Sequence, residues 1–303
     1  MMEIVVTPQW DDLRVFLAVA RDESLSKAAA RLKIDPATVG RRVARLEDAY
    51  ATPLFQKSQA GYALTDMGQR LMVHALRAEQ SMEMAAEEMS GTTGGLTGQI
   101  RIGAPDGAAN FLLPQVCAQI GEENPELEIQ IVALPRLISL SKREADFVVA
   151  VSPPTAGRLM VQKIADYHLS LAGSEEYLAK YEPIQSVRDL QYHRIVGYIP
   201  DMIFDKELDY LKEIGLEKPN LGSNSVSVQM NWVRQGGGLG IVHDFALPSV
   251  PGVKRILQEQ VSLSRAFYLV RHEDDKRLER LNRFAEALCN GLRKEVMRLE
   301  ALT

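Results

Sequence analysis

Cysteine is nearly absent: Cys117 and Cys289 are the two in 303 residues, each without a cysteine neighbour, so neither a disulfide framework nor a thiolate zinc site is expected. They read either as two buried structural thiols or as a redox-sensing pair. Histidine is sparse too. His74, His168, His193, His243 and His272 lack metal-ligand spacing, and no metal is expected. No apolar stretch approaches the ~18 residues of a membrane span. The opening Met1 to Pro8 has no basic start followed by a long apolar run, so it does not read as a secretory signal. No membrane partner and a cytoplasmic location are the expectation. Internal repeats and long charged tails are also missing. The glycines of Gly236 to Gly240 follow a helical pattern and lead into a strand, with no downstream Lys-Ser/Thr, so they form a turn and not a phosphate loop. Local spacing assembles no Ser-His-Asp set and no paired carboxylates. Neither catalysis nor a cofactor is expected. What composition does supply is 46% hydrophobic residues, enough for real cores.

One segment carries most of the information. From Ser24 to Glu47 the chain reads as a short helix, a tight turn and a second helix. Val39, Val43, Leu46 and Tyr50 recur at 4, 3 and 4 residues, one apolar stripe on the second helix. Asp35 suits its N-cap and Pro36 its first position, where a missing N–H costs nothing. Thr38, Arg41, Arg42 and Arg45 fall away from the stripe. An arginine fork there suits phosphate oxygens or the O6/N7 edge of guanine. Leu13, Phe16, Leu17 and Ala20 predict a preceding helix, and Ala28, Ala29 and Leu32 a small inner face for close packing. This is a helix-turn-helix layout, whose second helix enters the DNA major groove.

Charge agrees. Between Ser24 and Arg70, eight basic side chains against four acidic ones leave +4 in a chain of −5, so the remainder carries −9. Leu54 to Leu64 then reads as a hairpin turning at Gly61, either a wing reaching phosphate through Lys57 and Ser58 or a plain connection. Thr65 caps a helix running to about Ser90. Its seam of Leu71, Ala75, Ala78, Met82, Ala85 and Met89 fits self-association better than packing on its own domain, because a Gly/Thr-rich hinge follows.

Beyond the hinge, apolar β-runs appear at Gln99–Ala104, Glu128–Leu134, Asp146–Val151, His168–Ala172, Arg194–Tyr198, Gly240–His243 and Ala266–Val270. Helical stretches at Asn110–Glu123, Phe204–Ile214 and Ser225–Gln235 alternate with them, predicting α/β units with largely parallel sheets.

Leu13-Arg14-Val15-Phe16-Leu17-Ala18-Val19-Ala20, Ser24-Leu25-Ser26-Lys27-Ala28-Ala29, Arg45-Leu46-Glu47, Pro53-Leu54-Phe55 and Leu64-Thr65 resemble the LysR-type transcriptional regulator family, in order through residues 10 to 70 and more loosely beyond. Asp35-Pro36 stands where Ser-Gln is usual, Gly40 where a serine is usual, and Lys57 where an arginine is usual. The resemblance implies an α/β protein with an N-terminal winged helix-turn-helix (8–65, motif about 25–44), a linker or dimerisation helix (66–90) and a hinge (91–98). A two-lobed effector domain like a periplasmic binding protein follows (99–303). Its first lobe would span about 99–166 and 267–303 and its second about 167–266, with a last helix through Leu278, Leu281, Ala285, Leu288 and Leu292 returning to the first lobe.

Such a protein would bind promoter or operator DNA as a homodimer or homotetramer and respond to a small-molecule effector. DNA contacts are expected from Ser26, Lys27, Ala37, Thr38, Arg41, Arg42, Arg45 and Lys57. The effector would lie between the lobes at strand ends and helix starts, near Pro105, Asp106, Gly107, Ser152, Tyr198, Asn224, Ser225, Val242 and Asp244. Free backbone N–H groups with Ser152, Asn224 and Ser225 suit a small polar ligand such as a carboxylate, although Asp106, Asn224 and Ser225 could equally be caps or turns. The other reading is a solute-sensing protein whose N-terminal module mediates protein interaction.

Overall fold

A computed structural model of the chain describes residues 8–58, 61–90, 96–134, 145–154 and 157–303. The chain divides into two compact units, Met1–Thr93 and Gly94–Thr303.

In the first unit, α1 (Trp10–Asp22), α2 (Leu25–Leu32) and α3 (Pro36–Ala49) precede a hairpin of β1 (Phe55–Ser58) and β2 (Gly61–Leu64), then α4 (Asp66–Ser90). The caps do what the sequence predicts. Ser24 accepts from the Lys27 N–H at 3.4 Å and Asp35 from the Thr38 N–H at 3.0 Å, with Pro36 in the first turn. Glu23 and Lys33 end α1 and α2 in the left-handed region, at φ 50° and 55°. Phe16, Leu17, Val19, Ala28, Ala29, Val39, Val43, Leu46, Leu54 and Phe55 form one buried core. Tyr50 leaves the expected stripe: α3 stops at Ala49, and Tyr50 is its exposed C-cap.

Gly61 is at φ 128°, and a Cβ there would stand 2.5 Å from the Glu23 carbonyl oxygen, so only glycine lets the hairpin dock on the end of α1. Thr65 caps α4 by accepting from the Gly68 N–H at 3.0 Å. The expected seam divides along that helix. Leu71 and Ala75 pack into the unit's own core, whereas Met82 and Ala85 are exposed; the side chain of Met89 lies outside the described residues. Most of the expected hinge, 91–95, also lies outside them.

The second unit carries β3 (Gly98–Pro105), α5 (Asp106–Phe111), α6 (Leu113–Glu123), β4 (Leu127–Leu134), β5 (Phe147–Ala150), β6 (Leu159–Ser174) and α7 (Glu175–Leu178). Then come β7 (Ile195–Gly197), α8 (Tyr210–Glu213), β8 (Leu221–Gly222), α9 (Val226–Arg234), β9 (Leu239–His243), β10 (Val253–Arg255), β11 (Ser262–His272) and α10 (Glu279–Glu300). Among the described residues the strand order is β4-β3-β5-β11-β6-β9-β7-β8, with β10 on β6.

The parallel sheets expected from the sequence exist within each lobe, where β3 pairs β4 and β5, and β7 pairs β8 and β9. The middle differs. Here β6 carries the chain from one lobe to the other and β11 brings it back, so the two must run antiparallel, Leu159 opposite His272 through to Ser170 opposite Ser262. Their register breaks between Phe267 and Tyr268, beside a stack of Tyr167 on Phe267 at 4.1 Å. The final helix packs on the first lobe, Phe284 against Phe147 at 5.5 Å. Its far end reaches β6, where Glu300 accepts from the His168 N–H at 2.7 Å and Arg293 donates to the Ile164 carbonyl at 3.1 Å.

Candidate functional site

On the first unit the exposed surface begins at the cap of α3. The Asp35 carboxylate receives the N–H and the hydroxyl of Thr38, and these bonds hold it below the usual aspartate range. The Thr38 hydroxyl in turn accepts from Arg41 Nη2 at 2.8 Å, so cap, hydroxyl and guanidinium form a chain along the start of the helix. Ala37 and Arg41 are exposed and Thr38 is half-buried. Ser26 and Lys27, exposed at the start of α2, lie beside it, since Leu25 approaches to 3.7 Å of where a Gly40 side chain would begin.

The remaining arginines are engaged. Arg42 lies 3.3 Å from the Asp11 carboxylate, and Arg45 grips buried Asp12 with both Nε and Nη2, Nε at 2.6 Å. That bond raises the Arg45 pKa. Glu47 takes the N–H groups of Leu54 and Phe55 at 2.7 and 3.2 Å. Arg45-Leu46-Glu47 therefore ties α3 to α1, to the core and to the hairpin. Asp12 was not singled out from the sequence, where it reads as an ordinary acid in the first turn of α1, and Glu47 entered only as part of the Arg45-Leu46-Glu47 resemblance. Lys57 pairs with Tyr62 in the hairpin, and its side chain lies outside the described residues.

In the second unit, groups from both lobes meet at one place. Asp106, opening α5 just after Pro105, turns one carboxylate oxygen to the first turn of α9. It accepts from the Ser225 hydroxyl at 3.1 Å, the Ser227 N–H at 2.9 Å and the Ser227 hydroxyl at 3.0 Å. Its other oxygen accepts from Asn110 at 3.1 Å. Beyond β5, the Ser152 hydroxyl donates to Asp205 of the opposite lobe. Ser225 also caps α9, accepting from the Val228 N–H at 3.3 Å. Gly107 is buried against His243, whose ring lies 3.5 Å from the position of a Gly107 Cβ.

Tyr198 lines a cavity of about 560 Å³ with Ile203, Leu208, Tyr210, Leu211 and Gln229, all from the second lobe. Asn224 is half-buried one residue before the cap. Two expected residues stand apart: Val242 is buried within β9 opposite Ser170, and Asp244 is buried with Arg255 3.2 Å away. Asp205 and Ser227 were not expected, and Ser227, two residues after a helix cap, was the one with a local signal; His243 lies in the expected Val242-His243-Asp244 segment between two residues that stand apart.

Burial governs the titratable groups here. His243 is pushed down to about 4, with the Asp106 charge opposing the shift, and Tyr198 and Tyr210 are raised. Cys117 and Cys289 are buried thiols pushed up to about 12 and about 11. Among the described residues no His/Cys/Asp/Glu cluster is placed to hold a metal, and no helix is long and apolar enough to cross a membrane.

A capped helix-turn-helix in one unit and a two-lobed domain in the other define the class of regulator built from a DNA-binding domain and an effector-binding domain. Comparison with known proteins agrees. The model for bacterial regulatory helix-turn-helix proteins of the lysR family matches residues 10–69, and that for the LysR substrate binding domain matches residues 93–293. The HTH-type transcriptional regulator DgdR of Burkholderia cepacia is 37% identical over 149 residues, 48% of this chain and half of that protein's length. The HTH-type transcriptional activator TtdR of Escherichia coli K12 is 28% identical over 243 residues, 77% of this chain and 76% of its own. The solved structure of CrgA, a LysR-type transcriptional regulator from Neisseria meningitidis, superposes with a TM-score of 0.59 at 24% identity, over 93% of this chain and 98% of that one. The chain belongs to the LysR family of transcriptional regulators, with a DNA-binding helix-turn-helix domain and an effector-binding domain. Members of this family are regulators and not enzymes; they bind DNA and small-molecule effectors and form oligomers.

Proposed function

We propose that this protein binds a specific operator as a homodimer or homotetramer in the cytoplasm, and that a small-molecule effector in the inter-lobe cleft modulates that binding without any catalytic step. The observation that carries the DNA half is the start of α3, where Thr38 and the exposed Arg41 are held in one hydrogen-bonded chain from the Asp35 cap. Arg41 is the base reader, with Ala37 and Thr38 beside it; Ser26, Lys27, Arg42 and Lys57 serve the phosphates. Arg45 positions the helix through Asp12. Residues 8–65 read DNA, 66–90 pair the subunits through the exposed end of the seam, 91–98 form the hinge and 99–303 sense. Pro105, Asp106, Gly107, Ser152, Tyr198, Asn224 and Ser225 surround the effector, together with Asp205 and Ser227.

The hydrogen bonds from Asp106 and Ser152 to the opposite lobe support a switch by lobe closure. A ligand shifts that equilibrium by no more than its differential affinity for the two states. Fluorescence anisotropy of the full chain on its own upstream DNA, at two salt concentrations and with a metabolite panel, tests the proposal. Sequence-selective binding that weakens steeply with salt, and is shifted by a metabolite, is expected. Failure to bind any genomic fragment while metabolites still stabilise the second unit would replace it with a sensing protein whose N-terminal module contacts other proteins.

A further inference from the structure

We infer that Asp106 sets the ligand class of the cleft: it excludes carboxylates and other oxyanions and admits a ligand that brings hydrogen-bond donors and no net negative charge. The inference rests on the effector-site reading of the cleft given above. The first turn of α9 offers an anion a backbone N–H and two hydroxyls at the positive end of a nine-residue helix. A single oxygen of Asp106, from the facing lobe, already takes all three at 2.9 to 3.1 Å. A second anion at this place would meet that charge at contact distance, and two carboxylates so close do not both stay ionised without cost.

Among the described residues no cation is paired with Asp106, whose partners are Asn110, Ser225 and Ser227. The other carboxylate bonded across the cleft is Asp205 on Ser152, a second acid. Arg265 is committed to Glu207, at 3.0 Å, and to Glu213. The His243 ring beside Gly107 is buried and neutral, and its Nδ1 has no hydrogen-bond partner among the described residues. Tyr198 and Gln229 line the second-lobe cavity of about 560 Å³, which has room for the apolar body of such a ligand. The carboxylate expected from the free N–H groups therefore gives way to a protonated amine or a hydroxyl compound.

Isothermal titration of the full-length protein with sodium acetate, against chloride at matched ionic strength, tests this on the wild type, Asp106→Ser and Asp106→Asn. The expected result is no saturable acetate binding by the wild type at millimolar concentration. Asp106→Ser should bind it at least about tenfold more tightly, as a vacated charge-assisted seat would, and Ser227→Ala added to that variant should abolish the gain. Asp106→Asn, nearly isosteric, carries the same comparison should Asp106→Ser not fold. Two results would overturn the inference. One is wild-type acetate binding as tight as that of Asp106→Ser and lost in Ser225→Ala/Ser227→Ala. The other is no acetate binding by any folded variant, since α9 would then offer no anion seat. Operator binding by the wild type in the same buffer reports separately on the regulator reading.

Discussion

Arg45, exposed near the end of the recognition helix, reaches back 33 residues to the buried carboxylate of Asp12 and holds it with two nitrogens. The pair joins α3 to α1, so its strength appears in the stability of the unit before it appears in DNA affinity. Replacing Arg45 by alanine leaves a buried carboxylate without its partner and should lower the melting temperature by several degrees. Arg45→Lys keeps the charge but loses the fork, and should recover only part of the loss. An Arg45→Ala variant that melts like the wild type and loses only DNA affinity would place Arg45 on the DNA and not in the scaffold.

Two glycines of the first unit should respond in opposite directions. A Cβ at Gly40 meets nothing nearer than Leu25 at 3.7 Å, an ordinary contact. Gly40→Ala should therefore stabilise α3 by about 0.5–1 kcal/mol through helix propensity alone. At Gly68 a Cβ would stand 2.1 Å from the Leu54 carbonyl oxygen, where α4 begins against the hairpin. Gly68→Ala should cost about 1–3 kcal/mol of overpacking. Urea unfolding of both variants checks the pair, and equal effects would contradict this packing.

The helix-turn-helix was legible because its determinants are local: caps three residues from the N–H they receive, an apolar stripe within one helix, and glycine at a turn that needs it. Most strands of the second unit were legible as apolar runs. The first half of β6 was not, because Gln162, Lys163 and Asp166 break its apolar residues into the short pieces Leu159-Met160-Val161 and Ile164-Ala165. Nor does periodicity distinguish Arg41 from Arg45. Both leave the stripe, and only the fold shows that one is tethered at the surface while the other is tied to Asp12. The bond of Asp106 to Ser227 spans 121 residues and joins two lobes, so nothing local announces it.

His243 makes stability depend on pH. It is buried neutral, its pKa pushed down to about 4 from 6.5. Between those values the unfolded chain binds a proton that the folded chain refuses, so stability falls as pH drops through this window. The loss should reach about 3 kcal/mol when the window has been crossed. His243→Gln should flatten this part of the profile in urea melts from pH 7 to pH 4. A slope identical to that of the wild type would show that the ring does not titrate this way.

The two cysteines should be inert in the native protein. Burial pushes both thiols far above neutral pH, so little thiolate exists to react. At pH 8, Ellman's reagent should label neither Cys117 nor Cys289 until denaturant is added. Rapid stoichiometric labelling of folded protein would restore the redox-sensing reading.

The start of α3 is proposed to read DNA through Arg41, and one titration is decisive for it. Anisotropy of the wild type and of Arg41→Ala is measured on the protein's own upstream DNA and on a scrambled duplex, with melting curves run in parallel. Arg41→Ala is expected to lose roughly tenfold or more on the upstream sequence and much less on the scrambled one, at an unchanged melting temperature. Equal affinity of the two proteins for the upstream DNA, both fully folded, would contradict it.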